Sequence, residues 1–310
     1  MIAWLVAAGV SLLPVVLGDR MARVLAGAAW THRCPRAALA LWQAIGLAAG
    51  LGAVGLGLVA AVAPLAAVFP HGMHTLGRQI VSGHGLDGLG PAHLAALAWS
   101  AGLLSWLLAH TIRVTTKTFR ERRRQRLLVD VVAEHSTVYD AYVLPSDRHV
   151  AYCVPGRHRR IVLSQGTLDL LRPCELQAVL QHERAHARGR HDLALLPFLA
   201  LTHAFPWLAA ARTARHAVAM LLEMIADDHA RQAHGELPLA RALVRMADSQ
   251  GGQGLATFAL SDAGVVERVH RLLSKSDQPA WAPTAAYSAA ILLLSGPLTV
   301  LSAPIICSTF

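Results

Sequence analysis

Charge is scarce in this sequence, and acidic charge is scarcest. Only 15% of the 310 residues are Asp, Glu, Lys or Arg, with 19 acidic against 28 basic. Ordinary globular domains carry roughly a quarter charged residues. The shortage, together with 54% hydrophobic residues and a mean hydropathy of +0.42, excludes a typical soluble enzyme and indicates a membrane protein. Cysteine is thin as well. Cys34, Cys153, Cys174 and Cys307 show no C-x-x-C spacing, which excludes a disulfide framework. Cys174 is expected to pack as a small apolar residue. No basic recognition helix lies within a soluble stretch, so no direct nucleic-acid partner is expected. No basic segment precedes the first hydrophobic run, which argues against a cleaved signal peptide. There is no internal repeat.

What the chain does have is hydrophobic length. Residues 1–17, 37–69, 92–112 and 285–306 are apolar runs long enough to cross a bilayer. Arg20, Arg23, Arg33 and Arg36 follow the first. Arg113, Lys117, Arg120, Arg122, Arg123, Arg124 and Arg126 follow the third. The positive-inside rule then puts the N-terminus outside and residues 113–284 in the cytoplasm. Three domains are expected: a three-helix membrane part (1–112), a cytoplasmic catalytic part (113–284), and a last span with a short tail (285–310). Gly46-x-x-x-Gly50 and neighbouring glycines of the second run suit close helix packing and offer a weak homodimer cue. Residues 70–91, with His71, His74 and His84, read as a polar outer loop; neither these nor His93 show the ligand spacing of a zinc site.

Chemistry concentrates at His182-Glu183-Arg184-Ala185-His186, an H-E-x-x-H pattern. On a helix, positions i and i+4 share a face, so both imidazoles can reach one metal ion. Pro173 suits a first helical position, and Leu176, Val179 and Leu180 recur at helical spacing. Neutral imidazoles suit Zn²⁺, and Glu183 stands where it can take a proton from metal-bound water. With 17 histidines and 7 glutamates, chance alone would produce such a motif in about 2% of chains of this composition. A second element therefore matters. Glu223-Met224-Ile225-Ala226-Asp227 follows an apolar run, which puts Glu223 and Asp227 on one helix face. Glu223 can supply a third ligand, and Asp227 can orient a ligand histidine.

At these residues the chain resembles the gluzincin metallopeptidases, and more narrowly the BlaR/MecR-type antirepressor peptidases of bacteria. The likeness runs from about residue 143 to 273. It rests on Ile161-Val162-Leu163-Ser164, Glu175-Leu176-Gln177-Ala178-Val179-Leu180, Arg190-His191-Asp192, Glu223 and Asp227, besides the H-E-x-x-H motif. The resemblance implies an α-helical integral membrane protein with an α+β gluzincin-like zinc peptidase domain. It makes His182, His186 and Glu223 the Zn²⁺ ligands and Glu183 the base. It also implies cleavage of a cytosolic transcriptional repressor at the bacterial inner membrane. The family's sensor members carry a penicillin-binding domain after the last span. This chain ends at Phe310 without one, so direct β-lactam sensing is not expected. An HtpX-like quality-control protease fits the same chemistry, and a non-catalytic transducer with a structural zinc site is the alternative of another class.

Short β-prone runs at 138–143, 150–154 and 161–163 are expected to form a small sheet. By the same resemblance, Ala151, Tyr152, Cys153 and Val154 would be an edge strand that binds substrate, the alternative being a strand with a structural role alone. Residues 193–211 are apolar but interrupted by Pro197 and Pro206. If they crossed the bilayer, Glu223 and the motif would lie on opposite sides, so a helix packed on the domain or dipping into the membrane surface is expected. His203 reads as a satisfied buried histidine. Helices are expected at 237–246 and 265–273, around a loop at 249–254. Arg268, His270 and Arg271 are candidates for an oxyanion donor, with no choice among them.

Overall fold

The computed structural model describes residues 2–67, 71–156, 159–250, 255–274 and 279–307. The first apolar run forms α1 (Ile2–Ala26), and the short α2 (Ala29–Arg33) turns the chain into α3 (Pro35–Val62). Close approach of other helices accounts for several glycines of α3. A Cβ on Gly52 would lie 2.4 Å from the Ser11 carbonyl oxygen, and one on Gly57 would lie 2.2 Å from the Ser100 hydroxyl. Gly46 faces Phe198 and Gly50 faces Leu107, so these small-residue positions pack within the chain itself.

The expected outer loop is in part a helix, α4 (His71–Val81). Its buried positions, Gly72 and Leu76, are four apart on one face, and Gly72 packs on the Val62 carbonyl. The third run also extends further than expected, as a single helix α5 (Pro91–Val132) of 42 residues. At 1.5 Å per residue it is about 63 Å long, roughly twice the bilayer hydrocarbon. No glycine or proline follows Gly102 in it, and its Arg, Lys and Leu residues favour helix, so nothing stops it where the apolar run ends. Together with the last helix, four helices among the described residues are long and apolar enough to cross a membrane.

Beyond α5 lie β1 (Glu134–Ser136), β2 (Ala141–Leu144), β3 (Ala151–Val154) and β4 (Arg160–Ser164). They form one sheet in the order β1-β2-β4-β3, with β2 and β4 parallel and both outer pairs antiparallel. Residues 138–140, expected in a strand, form a turn, with Asp140 at positive φ. β3 is a sheet edge.

The helices α6 (Gln165–Leu170), α7 (Pro173–Gly189), α8 (His191–Ala204), α9 (Ala209–His234), α10 (Glu236–Gln250) and α11 (Leu255–Leu273) follow, and α12 (Trp281–Cys307) closes the chain. α10 and α11 are longer than expected; of the expected loop between them, Ser249 and Gln250 end α10, and 251–254 lies outside the described residues. So does the tail from 308 onward.

The two larger apolar clusters among the described residues hold the site's helices. In one, α9 lies among the apolar helices, with Val218, Leu221 and Met224 packed beside Trp42, Leu25 and Ala286. In the other, Leu180, Leu239 and Leu272 join α7, α10 and α11 above the sheet. Each of these fully buried leucines contributes roughly 1.5–3 kcal/mol.

The 193–211 stretch is a helix broken at residues 205–208, so α8 and α9 make a hairpin. Gln43 donates to the Ala194 carbonyl, and the Trp106 indole donates to that of Ala204, which ties α8 to α3 and α5. Two expectations need correction here. His203 is exposed, bonded only to the Leu199 carbonyl one turn back, because it sits on the outer face of α8. Cys174 is exposed too, since it lies in the first turn of α7, ahead of the buried stripe.

Candidate metal centre

Helix α7 starts with Pro173 at its first turn, and the Glu175 carboxylate accepts from the Arg172 backbone N–H at 3.0 Å. Its buried stripe carries His182 and His186 onto the face that meets α9. There α9 presents Glu223 and, one turn on, Asp227.

Three ligand atoms converge. His182 Nε2 and His186 Nε2 are 3.1 Å apart. Glu223 lies 3.5 Å from the first and 3.3 Å from the second. A tetrahedral zinc with bonds near 2.05 Å has ligand–ligand edges of about 3.3 Å. The three separations fit such an ion, and among the described residues this is the one His/Cys/Asp/Glu group with that geometry. Asp227 Oδ1 is 3.0 Å from the other nitrogen of His182.

Arg268, from α11, completes the cluster. It grips Asp227 through two bonds of 2.7 and 2.8 Å and reaches Glu223 at 3.0 Å. Sequence alone named Arg268 only as one of three unranked basic residues. Its neighbour Arg271 is held by Asp228 at 2.8 Å, and His270 is exposed beside Ser274. None of the three lines the cleft described next.

That cleft has a volume of about 420 Å³ and borders His182, Glu183, His186 and Glu223. Its far wall is β3, from which Ala151, Tyr152 and Cys153 line it; Val154 turns the other way and packs on Val129 and Val162. Pairing in β3 alternates. Ser164 N–H donates to the Val150 carbonyl, and the register pairs Tyr152 with Val162. The main-chain groups of Ala151 and Cys153 therefore point away from β4, toward the free edge.

Burial sets the electrostatics. It raises the Glu183 carboxyl, and nearby Glu223 adds to this despite the two histidines. Burial alone would lower His182, yet Asp227 and Glu223 outweigh it and hold the metal-free ring protonated up to about 9. Burial would also raise Glu223 and Asp227, but His182 and Arg268 keep both below the usual carboxylate range, helped at Glu223 by His186. Burial, followed by the Glu183 and Asp192 carboxylates, pushes the Cys153 thiol up to about 12. Cys153 is thus a neutral thiol at physiological pH, which argues against a cysteine nucleophile.

The sequence profile of peptidase family M48 matches residues 116–299, which take in the motif, the sheet, α9 and α11. The chain belongs to peptidase family M48. Family M48 peptidases are zinc-dependent, in keeping with the His-His-Glu cluster. With four apolar helices of spanning length among the described residues, the chain is a membrane-associated M48 peptidase. No curated protein and no solved structure matches it.

One cleft residue escaped the sequence reading as a functional group. His191 stands edge-on to His186, with ring centroids 4.8 Å apart, and burial followed by His186 lowers it to about 4. Only its place in the Arg190-His191-Asp192 triplet hinted at it.

Proposed function

We propose that this M48 peptidase is a zinc endopeptidase that cleaves an extended protein segment at the cytoplasmic face of a bacterial inner membrane. The convergence of three ligand atoms at zinc spacing, beside a cleft with a free strand edge, carries this reading. His182, His186 and Glu223 would hold the ion, which when bound acidifies water and polarises a carbonyl. Glu183, buried and with its carboxyl raised toward working pH, accepts the proton of the attacking water and returns it to the leaving nitrogen. Asp227 orients His182, and Arg268 neutralises the paired carboxylates. Residues 113–284 would be the peptidase part, between three membrane helices and the last.

In this reading the substrate main chain pairs with Ala151 and Cys153 at the β3 edge. Cys153→Pro deletes an edge N–H that β4 does not use, and proline is tolerated on edge strands. The variant should retain metal while kcat/KM on a protein substrate falls about tenfold, the effect of losing one good hydrogen bond. Unchanged kcat/KM would remove the edge from the substrate site.

The likeness to antirepressor peptidases supports a cytosolic repressor as the target. A second reading, membrane-protein quality control of the HtpX kind, draws support from Leu195, Ala219 and Leu222. These cleft residues belong to α8 and α9, which pack on the apolar helices. Fragments compared between cells expressing wild type and Glu183→Gln decide between them. Cleavage of one repressor-like protein supports signalling, and many membrane-protein fragments support quality control. No difference, with or without envelope stress, would leave only a structural zinc site.

A further inference from the structure

His182 and His186 are backed by different chemistry. Behind His182 stands a carboxylate, Asp227. Behind His186, among the described residues, stands an imidazole instead of an acid: its Nδ1 lies 2.9 Å from Nδ1 of His191. The ligand atom of His186 is Nε2, the one facing Glu223. A neutral imidazole that gives its Nε2 lone pair away carries its single proton on Nδ1. That proton must be donated, and His191 Nδ1 is the acceptor in reach.

Local backbone is arranged to put His191 there. Arg190, the single residue between α7 and α8, is left-handed at φ 47°, ψ 43°. Left-handed backbone is disfavoured for a non-glycine residue, because its Cβ crowds the neighbouring carbonyl oxygen. The turn folds the first residue of α8 back over the last turn of α7. Gly189 completes the device, since a Cβ there would lie 2.4 Å from His191 Nε2 and 2.6 Å from its Cδ2. From outside, Asp192 pairs with Arg122 of α5 at 2.5 Å and fixes the start of α8. The ring is 8% exposed, and it is too far round His186 to join the ligand group itself.

We propose that His191 is a positioning residue, an imidazole acceptor that holds the tautomer and orientation of His186 for metal binding. The inference rests on the ligand set proposed above. Partners of this kind are worth about 10- to 100-fold in metal affinity.

Three variants of the full-length protein, purified in detergent, test it by zinc competition against a chelator and by the visible spectrum of the cobalt form. His191→Leu removes the acceptor and should weaken zinc about 10- to 100-fold and alter the cobalt bands. His191→Asn offers an amide oxygen near the position of Nδ1 and should restore both. Gly189→Ala displaces the ring while keeping it and should behave like His191→Leu. If the Leu and Asn variants match each other, whether both tight or both weak, the inference is overturned while the ligand set stands. If His186→Ala binds zinc as tightly as wild type, the ligand set falls and takes the inference with it.

Discussion

Glu183→Gln cuts peptide hydrolysis by about 10²- to 10⁴-fold and leaves zinc bound. Glutamine keeps the size of the side chain and its place on α7, but it cannot take a proton. General acid–base catalysis supplies about 10²- to 10⁴-fold, and kcat should fall by that factor with little change in KM. Metal content, measured by elemental analysis of the purified membrane protein, should equal that of wild type, because Glu183 is not among the converging ligand atoms. His186→Ala separates the two roles, since it should lose metal and activity together. A Glu183→Gln enzyme that still hydrolyses peptide within tenfold of wild type would remove Glu183 as the base.

Arg268→Met lowers stability by about 3–5 kcal/mol, the usual cost of removing one partner from a buried ion pair. The guanidinium is 11% exposed and Asp227 only 1%, so water cannot replace the lost charge. Glu223 and Asp227, four residues apart on one helix, would then face each other's charge with His182 as their main counterweight. Thermal unfolding of the detergent-solubilised protein reads the loss. Combining Arg268→Met with Asp227→Asn should recover part of it, because a neutral pair no longer strands a buried charge. A single variant that melts within about 0.5 kcal/mol of wild type, as a surface substitution does, would mean the clamp is not structural.

These two residues mark the difference between what was legible early and what was not. Glu183 was readable because the H-E-x-x-H pattern depends only on helical period and on Pro173, Glu175 and the apolar spacing that set the helix. Glu223 and Asp227 were readable for the same reason, as an i, i+4 pair after an apolar run. The partnership of Arg268 with them was not, since α11 is 41 residues further along and reaches Asp227 only through packing of the helices. His191 lay five residues from His186, yet its approach depends on a left-handed arginine, a conformation that no residue pattern announces.

The same division runs through the fold. Strands β3 and β4 and the four spanning runs followed from composition and short-range pattern. Helix α4 and the 20 residues by which α5 outruns its apolar segment (132 minus 112) did not, because polar residues continue a helix as readily as they form a loop. By itself, then, the sequence determined the membrane class and picked out the candidate metal ligands and the candidate base, each encoded within one or two helical turns. Tertiary structure alone decided which groups stand behind the ligands, which strand edge is free and which apolar helices hold the site. Those depend on side chains from distant elements meeting at fixed distances, and local periodicity carries no information about such meetings.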